Sequence, residues 1–462
     1  MNSDNGFESF EQDDELLNSW GSAERKAIKA FELYENGQMD DALVAMNEAL
    51  DINPANDRWH FNKALTLDAM DRFDEAIAEY KLAIELNPND IETLNCLAVD
   101  YTRSGQYDLA LEVFERIEKH NPDFEPSYCN RIITYTETGN YEMAEQMFYM
   151  AQQLNDKCPL CFYNIGNLFF IRGEYKKAAW CWEKTASLEP SHPQINYRIA
   201  QACWNMGDRD LAYKKFIEEL KCNPGDTDVI FDFGLFLLHG GNITAAAEKF
   251  NRILETQPDY APAIFYLGEI ELNRKNFAAA ENYYKKAIKC DNRLPGPRFR
   301  LGQMTFSRGS RDEAFGLLVS ELELDVEQAE VLIPIGLIMM EMGQIDYAVH
   351  CFLKVSEIDS TNAVNYLHLA NALALRGEDE DAQQFLDYAA ELAPENYKLI
   401  CNAARAYLRM QNPQKALLLL SQCPQEQMEL TGKLLELKAK FEIFKTDVKE
   451  RISFLLRNFR RR

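Results

Sequence analysis

Small and large hydrophobic positions recur along this chain with a period of 34 residues. One position of this period is alanine in every repeat. The residue twelve positions before that alanine is glycine or alanine in each case but one, where it is Ile132. An aromatic residue follows the alanine after four residues in eight cases, and proline follows it after twelve residues in seven. The alanine series itself is unbroken and consists of Ala42, Ala76, Ala110, Ala144, Ala178, Ala212, Ala246, Ala280, Ala314, Ala348, Ala382 and Ala416.

This pattern predicts two antiparallel helices in every 34-residue unit. The small residues at unit positions 8 and 20 let the two helices approach closely, and the large residue at position 24 fills the space beside them. Glycine at position 15, as at Gly37 and Gly105, ends the first helix in nine units, because a left-handed residue is needed there. The proline ends the second helix. Since no unit can bury its apolar face alone, the units are expected to stack into an all-α array.

The repeat runs from residue 23 to residue 430 without an insertion or a deletion. Residues 1–22 lack it and are predicted to be an acidic N-terminal tail or cap, whereas residues 431–462 are predicted to be an amphipathic capping helix with a basic end. The twelve predicted units are 23–56, 57–90, 91–124, 125–158, 159–192, 193–226, 227–260, 261–294, 295–328, 329–362, 363–396 and 397–430.

The units resemble tetratricopeptide repeats (TPRs). One of the clearest runs from Phe162 through Gly166 and continues to Ala178, Trp182 and Pro190. The resemblance covers residues 23–430 and implies a right-handed α-solenoid superhelix of helix-turn-helix repeats, with a concave groove lined by the first helix of each unit. It further implies a non-catalytic scaffold that binds a peptide segment or another protein in that groove.

Composition and charge narrow the function classes. The chain is 47% hydrophobic and 27% charged, which is typical of a folded protein. Its net charge of −25 disfavours binding to nucleic acid. No basic N-terminal region precedes an apolar segment, and no apolar run approaches the roughly 20 residues of a membrane span, so a cytoplasmic protein is expected. The eleven scattered cysteines are interpreted as buried thiols of a reducing compartment.

The resemblance places a partner-binding surface on units 5 to 9. Aromatic rings are dense at the groove positions of these units, and such rings give a large contact area at low entropic cost. The alternative is that many of them pack between helices. Polar neighbours could orient a peptide, and the arginines could select an acidic group on it. The candidate residues are Tyr163, Asn164, Asn167, Phe170, Tyr197, Arg198, Gln201, Trp204, Phe231, Asp232, Phe265, Tyr266, Phe299, Arg300 and Phe306.

Two other functions remain open at this stage. In the C-terminal segment, apolar residues recur every three or four positions and form the apolar stripe of one amphipathic helix, which is expected to cover the second helix of the last unit. Its basic end also fits a peripheral membrane-associated adaptor that uses residues 441–462. Alternatively, Cys158 and Cys161 form a CxxC that fits a metal or redox site, although no second CxxC follows. The sequence lacks catalytic motifs, so no enzyme activity and no cofactor are predicted.

Overall fold

The computed structural model describes residues 7–324, 326–422 and 430–459 of the 462-residue chain. These residues form 25 helices and no strand, which confirms the all-α prediction. The chain divides into two compact parts, here called the N-terminal half (Met1–Val229) and the C-terminal half (Ile230–Arg462). Each half is a stack of helices that follow one another in the chain.

The N-terminal half contains twelve helices and the start of a thirteenth within its described residues. They are α1 (Phe7–Glu35), α2 (Met39–Leu50), α3 (Asp57–Asp68), α4 (Phe73–Leu86), α5 (Ile91–Arg103), α6 (Tyr107–His120), α7 (Glu125–Glu137), α8 (Tyr141–Leu154), α9 (Pro159–Ile171), α10 (Tyr175–Leu188), α11 (Ile195–Met206), α12 (Arg209–Cys222) and α13 (Thr227–His239).

The C-terminal half begins inside α13. Its further helices are α14 (Ile243–Thr256), α15 (Ala261–Asn273), α16 (Phe277–Cys290), α17 (Pro297–Ser307), α18 (Arg311–Leu322), α19 (Ala329–Glu341), α20 (Ile345–Ile358), α21 (Ala363–Arg376), α22 (Asp379–Leu392), α23 (Tyr397–Arg409), α24 (Pro413–Ser421) and α25 (Leu430–Phe459). The exact boundaries of the repeat units stay a prediction.

Helices that follow one another pack closely, as α3 does on α4 and α15 on α16. All twelve alanines of the unbroken series are completely buried, as expected for residues at the closest approach of two helices. At five of the other small positions the residue is glycine, and a Cβ there would lie 2.6–2.7 Å from the side chain sixteen residues later. Small residues at both positions therefore set the separation of the helices.

The turn inside each predicted unit uses a left-handed residue. Position 15 has a positive φ in all twelve units, and nine of these residues are glycine. The other three are Asp71, Lys275 and Gln411, with φ between 57° and 62°. The glycine pattern thus marked the correct turns, and the backbone keeps the same conformation where glycine is missing.

The C-terminal helix α25 contacts α23 and α24, but not through its predicted apolar stripe. Ala439 is completely buried and Leu435 packs against the core. In contrast, 37–65% of each described stripe residue is exposed: Leu434, Leu437, Phe441, Phe444 and Val448. The helix thus packs against the second helix of the last unit through its small side, while the described stripe residues stay exposed, and its role as a cap stays a prediction. Ile452, Leu455 and Phe459, which continue the pattern, lie outside the described side chains.

Candidate functional site

The predicted groove residues of the N-terminal half lie on α9 and α11. Asn164 and Tyr197 are buried, and the others are partly exposed. The amide of Asn164 donates a 2.9 Å hydrogen bond to the carbonyl of Cys129, so this side chain already has a role within the array. The ring of Tyr163 lies 4.6 Å from that of His192, and Phe170 lies 5.5 Å from Trp182. Packing between helices thus occupies part of this predicted surface.

In the C-terminal half, three predicted aromatics come together. The ring of Tyr266 lies 5.6 Å from that of Phe231 and 5.2 Å from that of Phe265. All three are partly exposed, as is Asp232, whereas Phe299 is buried. The structure therefore forms one aromatic cluster from two helices, α13 and α15, which are the first helices of neighbouring predicted units.

Arg300 and Phe306 line an open cleft of about 560 Å³ together with apolar residues that include Leu272, Met304 and Ile338. The guanidinium of Arg300 donates to both carboxylate oxygens of Glu269, at 2.9 and 2.7 Å. A bidentate pair of this kind already satisfies most of the arginine's charge. The cleft consequently offers mainly apolar contact to a partner, and Arg300 contributes less to the recognition of an acidic group.

A larger and more apolar cleft lies in the N-terminal half and is here called the Trp180 cleft. It has a volume of about 810 Å³. Trp180 is 52% exposed and Tyr149 is 60% exposed. Both lie on second helices of their units, outside the predicted groove positions, so the sequence analysis missed them. The residues that line the cleft are Phe148, Tyr149, Phe169, Gly173, Glu174, Tyr175, Lys176, Lys177, Trp180, Cys181 and Met206.

The rings of this cleft support one another. Phe162 lies under the cleft with its ring 5.6 Å from Phe148 and 6.0 Å from Trp180, both edge to face. Phe148 in turn lies 5.8 Å from Tyr149. Edge-to-face pairs of this kind hold aromatic rings in fixed positions. The exposed rings therefore form an ordered surface that needs little rearrangement to bind.

Lysines surround the Trp180 cleft. Lys177 Nζ lies 5.0 Å from the centre of the Phe169 ring, and Lys184 Nζ lies 5.5 Å from that of Trp180. Lys176 is exposed at the same edge. Lys177 also pairs with Glu174, whose carboxyl pKa is lowered by that hydrogen bond. The rim is locally basic in a chain whose net charge is −25.

The cleft exists where the repeat pattern breaks. The large residue at position 24 is buried in eleven units, but Phe148 of the fourth unit is only partly buried. This unit is also the one with Ile132 in place of glycine or alanine at position 8. Ile132 is completely buried and fills the volume beside Ala144, so Phe148 extends outward into the cleft. The interruption of the small-residue series was therefore the sequence signal for this surface.

The two cysteines of the CxxC lie beside a third that the sequence analysis did not connect with them. Cys129 on α7 is joined to Cys161 on α9 by a disulfide, and Cys158 Sγ lies 3.6 Å from Cys129 Sγ. Glu125 completes a cluster that could hold a metal ion. The i,i+4 spacing of Glu125 and Cys129 was the available signal. The expectation that the cysteines are buried does not hold for Cys222, which is exposed.

Among the described residues, no helix is both long and apolar enough to cross a membrane. This is in line with the sequence, whose apolar runs are short.

Family models match two parts of the chain. The model described as the N-terminal TPR repeats region of Psidin matches residues 24–176. A tetratricopeptide-repeat model matches residues 231–295. A search of curated protein sequences finds no match. Both matches lie inside the range of the predicted repeat.

Solved structures with a similar architecture share little sequence. The Cut9–Hcn1 hetero-tetramer of the APC/C aligns at 14% identity and a TM-score of 0.40, over 90% of this chain and 96% of that one. Yeast Tom70 aligns at 15% identity and a TM-score of 0.39, over 94% and 97%. A TPR protein from Parabacteroides merdae aligns at 21% identity and a TM-score of 0.41, over 51% and 93%. These values are too low to transfer a partner to this chain.

Proposed function

Because this chain belongs to the tetratricopeptide-repeat superfamily, we propose that it is a non-catalytic scaffold that binds a segment of a partner protein. The observation that supports this function best is the Trp180 cleft. Contiguous exposed aromatics are rare on surfaces that bind nothing. Tryptophan and tyrosine in such clefts supply most of the binding energy in many protein interfaces.

The chemistry of the cleft defines the partner segment. Its apolar wall suits one large apolar or aromatic side chain, which would enter between Trp180 and Tyr149. The lysines on the rim suit Asp or Glu beside that anchor, because charge complementarity favours encounter and register. The proposed partner therefore carries an apolar anchor next to acidic residues.

A pull-down with the intact chain, followed by mass spectrometry, identifies the partner, and titration with a peptide from it measures the affinity. Trp180→Ala is expected to weaken binding by at least about 30-fold, which corresponds to a hot spot of roughly 2 kcal/mol. Tyr213→Ala is the matched control, because Tyr213 is 49% exposed but does not line the cleft. Equal binding by both variants, with folding confirmed by circular dichroism, would remove the cleft as the partner site.

The groove of units 5 to 9 stays a second proposed contact. The cleft at Arg300 and Phe306 supports it most directly, since both residues were predicted from their repeat positions. Two double variants test it: Tyr197→Ala with Trp204→Ala, and Arg198→Ala with Arg300→Ala. Loss of partner binding by variants that still fold would support the groove, and full-strength binding by both pairs would contradict it.

The exposed stripe of α25 supports a second candidate function, association with an anionic membrane surface. At 3.6 residues per turn, lysines lie along both edges of the stripe, and the acidic residues lie further round the helix. An apolar face bordered by lysines is typical of helices that lie in the interface of a membrane. Lipid phosphates are complementary to that charge. The lysines are Lys433, Lys438, Lys440, Lys445 and Lys449.

Co-sedimentation with phosphatidylserine-containing vesicles tests this second function. Phe441→Ser with Phe444→Ser should reduce binding by roughly 1,000-fold, since about 2 kcal/mol of apolar burial is lost for each of the two rings. Leu375→Ser is the control, because Leu375 is 62% exposed on α21, away from the stripe. If vesicles do not bind and the double variant instead changes the oligomeric state, the stripe is an interface between copies of this chain.

A further inference from the structure

Four side chains that can bind metal converge where α7 meets the first turn of α9. Glu125 and Cys129 lie one helical turn apart on α7, and Cys158 and Cys161 come from the start of α9. One carboxylate oxygen and the three sulfurs all lie within 4.8 Å of one another. We propose that Glu125, Cys129, Cys158 and Cys161 together bind one Zn²⁺ ion that joins α7 to α9.

The local backbone prepares this arrangement. Cys158 precedes α9 as its N-cap, and Pro159 occupies the first helical position. The side chain of Cys158 therefore lies at the N-terminus of α9, beside backbone N–H groups that have no partner within the helix. The positive end of the helix dipole at this position stabilises a thiolate. The sequence Cys-Pro-Leu-Cys therefore places two sulfurs beside Glu125 and Cys129 of α7.

The contacts of Glu125 are explained by a cation and not by the disulfide. Glu125 Oε1 lies 2.7 Å from Cys129 Sγ and 3.1 Å from Cys161 Sγ, and these two sulfurs are joined. A disulfide sulfur has no proton to donate, so neither contact can be a hydrogen bond in that state. The thiol of Cys158 lies 3.6 Å from Cys129 Sγ, beside the same carboxylate. A cation between the four atoms makes every one of these approaches favourable.

The donor set selects zinc among common ions. Three sulfurs exclude Mg²⁺ and Ca²⁺, which take oxygen ligands almost exclusively. Four ligands of the Cys and carboxylate type suit the closed, tetrahedral geometry of structural zinc. Cys129 and Cys161 are completely buried, and Cys158 is 8% exposed, so solvent has little access to compete for the ion. A site of this kind contributes to folding and not to catalysis.

The disulfide and the zinc site are alternative states of the same two sulfurs. A dithiol reductant supplies two electrons and two protons, which break the Cys129–Cys161 bond and give two thiols, while the dithiol itself becomes a disulfide. Zn²⁺ then displaces the protons of the three thiols. Because the thiols must lose their protons to bind the ion, zinc binding releases protons and weakens as the pH falls.

Metal binding is measured on the full-length chain, reduced with a phosphine and freed of metal. Titration with Zn²⁺ should show one ion per chain, and Co²⁺ should give visible bands of a tetrahedral site with thiolate charge transfer. Cys158→Ser should lower the affinity by more than the roughly 10–100-fold typical of outer-shell changes. Glu125→Gln should lower it as well. Cys203→Ser is the matched control, since Cys203 is a buried thiol outside the cluster.

A second measurement needs no variant. Zinc should shield Cys129, Cys158 and Cys161 of the reduced wild-type chain from alkylation, as read by peptide mass spectrometry, whereas Cys222 should react with or without zinc. Shielding of these three thiols supports the site even if Cys158→Ser fails to fold. The proposal is overturned if the reduced chain takes up no zinc, if zinc shields none of the three, or if Cys158→Ser binds zinc as tightly as Cys203→Ser does.

Discussion

Gly166 lies directly beneath the indole ring of Trp182. A Cβ at residue 166 would lie 2.6 Å from Nε1 of that ring, and the indole N–H donates a 3.2 Å hydrogen bond to the carbonyl of Tyr163. The tryptophan is completely buried. The fit of Trp182 therefore depends on the absence of a side chain at Gly166 and on the backbone carbonyl of Tyr163.

Gly166→Ala should destabilise the protein by about 1–3 kcal/mol, because the added methyl group displaces a rigid, buried ring. The lowered midpoint of urea unfolding, followed by circular dichroism, checks this. Gly316→Ala is the control: no atom lies within 4 Å of its Cβ position, so alanine there should stabilise α18 by roughly 0.5–1 kcal/mol. A loss of stability in both variants would show that the indole contact is not the cause.

Lys275→Gly should stabilise the protein by about 0.5–1 kcal/mol. Lys275 has a φ of 62°, a conformation that costs an L-residue about 1–2 kcal/mol, and the entropy of glycine offsets part of the gain. Thermal unfolding measures the change. Lys286→Gly, inside α16, should instead destabilise by about 1 kcal/mol. Equal effects of the two substitutions would contradict strain at the turn.

Asp100→Asn should make stability less dependent on pH. Burial, and next the carboxylate of Asp68, raise the pKa of Asp100 to about 7, although Arg103 opposes the shift. The folded pKa lies above the unfolded one, so the native state binds more protons between about pH 4 and 7, and stability falls as the pH rises through that range.

The melting temperature at pH 5 and at pH 8 checks this prediction. Asp100→Asn should raise it at pH 8 and change it little at pH 5, whereas Asp108→Asn, at an exposed site on α6, should affect both alike. A wild-type chain that is more stable at pH 8 than the Asp100→Asn variant would contradict the raised pKa.

Ile132→Ala should draw Phe148 inward and weaken partner binding at the Trp180 cleft. The space left by isoleucine matches the space that buried aromatics fill in other units. Because Phe148 can fill it, the loss in the free energy of unfolding should stay below the 2–5 kcal/mol of an unfilled cavity. Hydroxyl-radical footprinting should show less oxidation of Phe148. Ile199→Ala, also completely buried, should lower stability without protecting Phe148. Unchanged oxidation of Phe148 in Ile132→Ala would contradict this account.

The periodic residues predicted the fold well, and the candidate sites less well. Burial of Ala212 and its equivalents follows from helix contact, which sequence period alone determines. Tyr197 and Phe299 were assigned to a groove by position, but burial depends on the neighbouring helix, which position does not specify. Trp180 was missed because it lies on the second helix of its unit, outside the groove positions that the family resemblance supplies. Cys129 was missed because α7 and α9 are in contact although α8 separates them along the chain, and the sequence does not specify this contact.

The outward position of Phe148 shows how a repeat protein can acquire a recognition surface without changing any residue on its exterior. One oversized residue in the interior expels a neighbouring ring, and the expelled ring becomes available to another molecule. An evolutionary path of this kind needs a single hydrophobic-to-hydrophobic substitution, which leaves the net charge unchanged. A buried substitution in a repeat array can thus create a binding surface, and a position that departs from the repeat consensus indicates where to look for one.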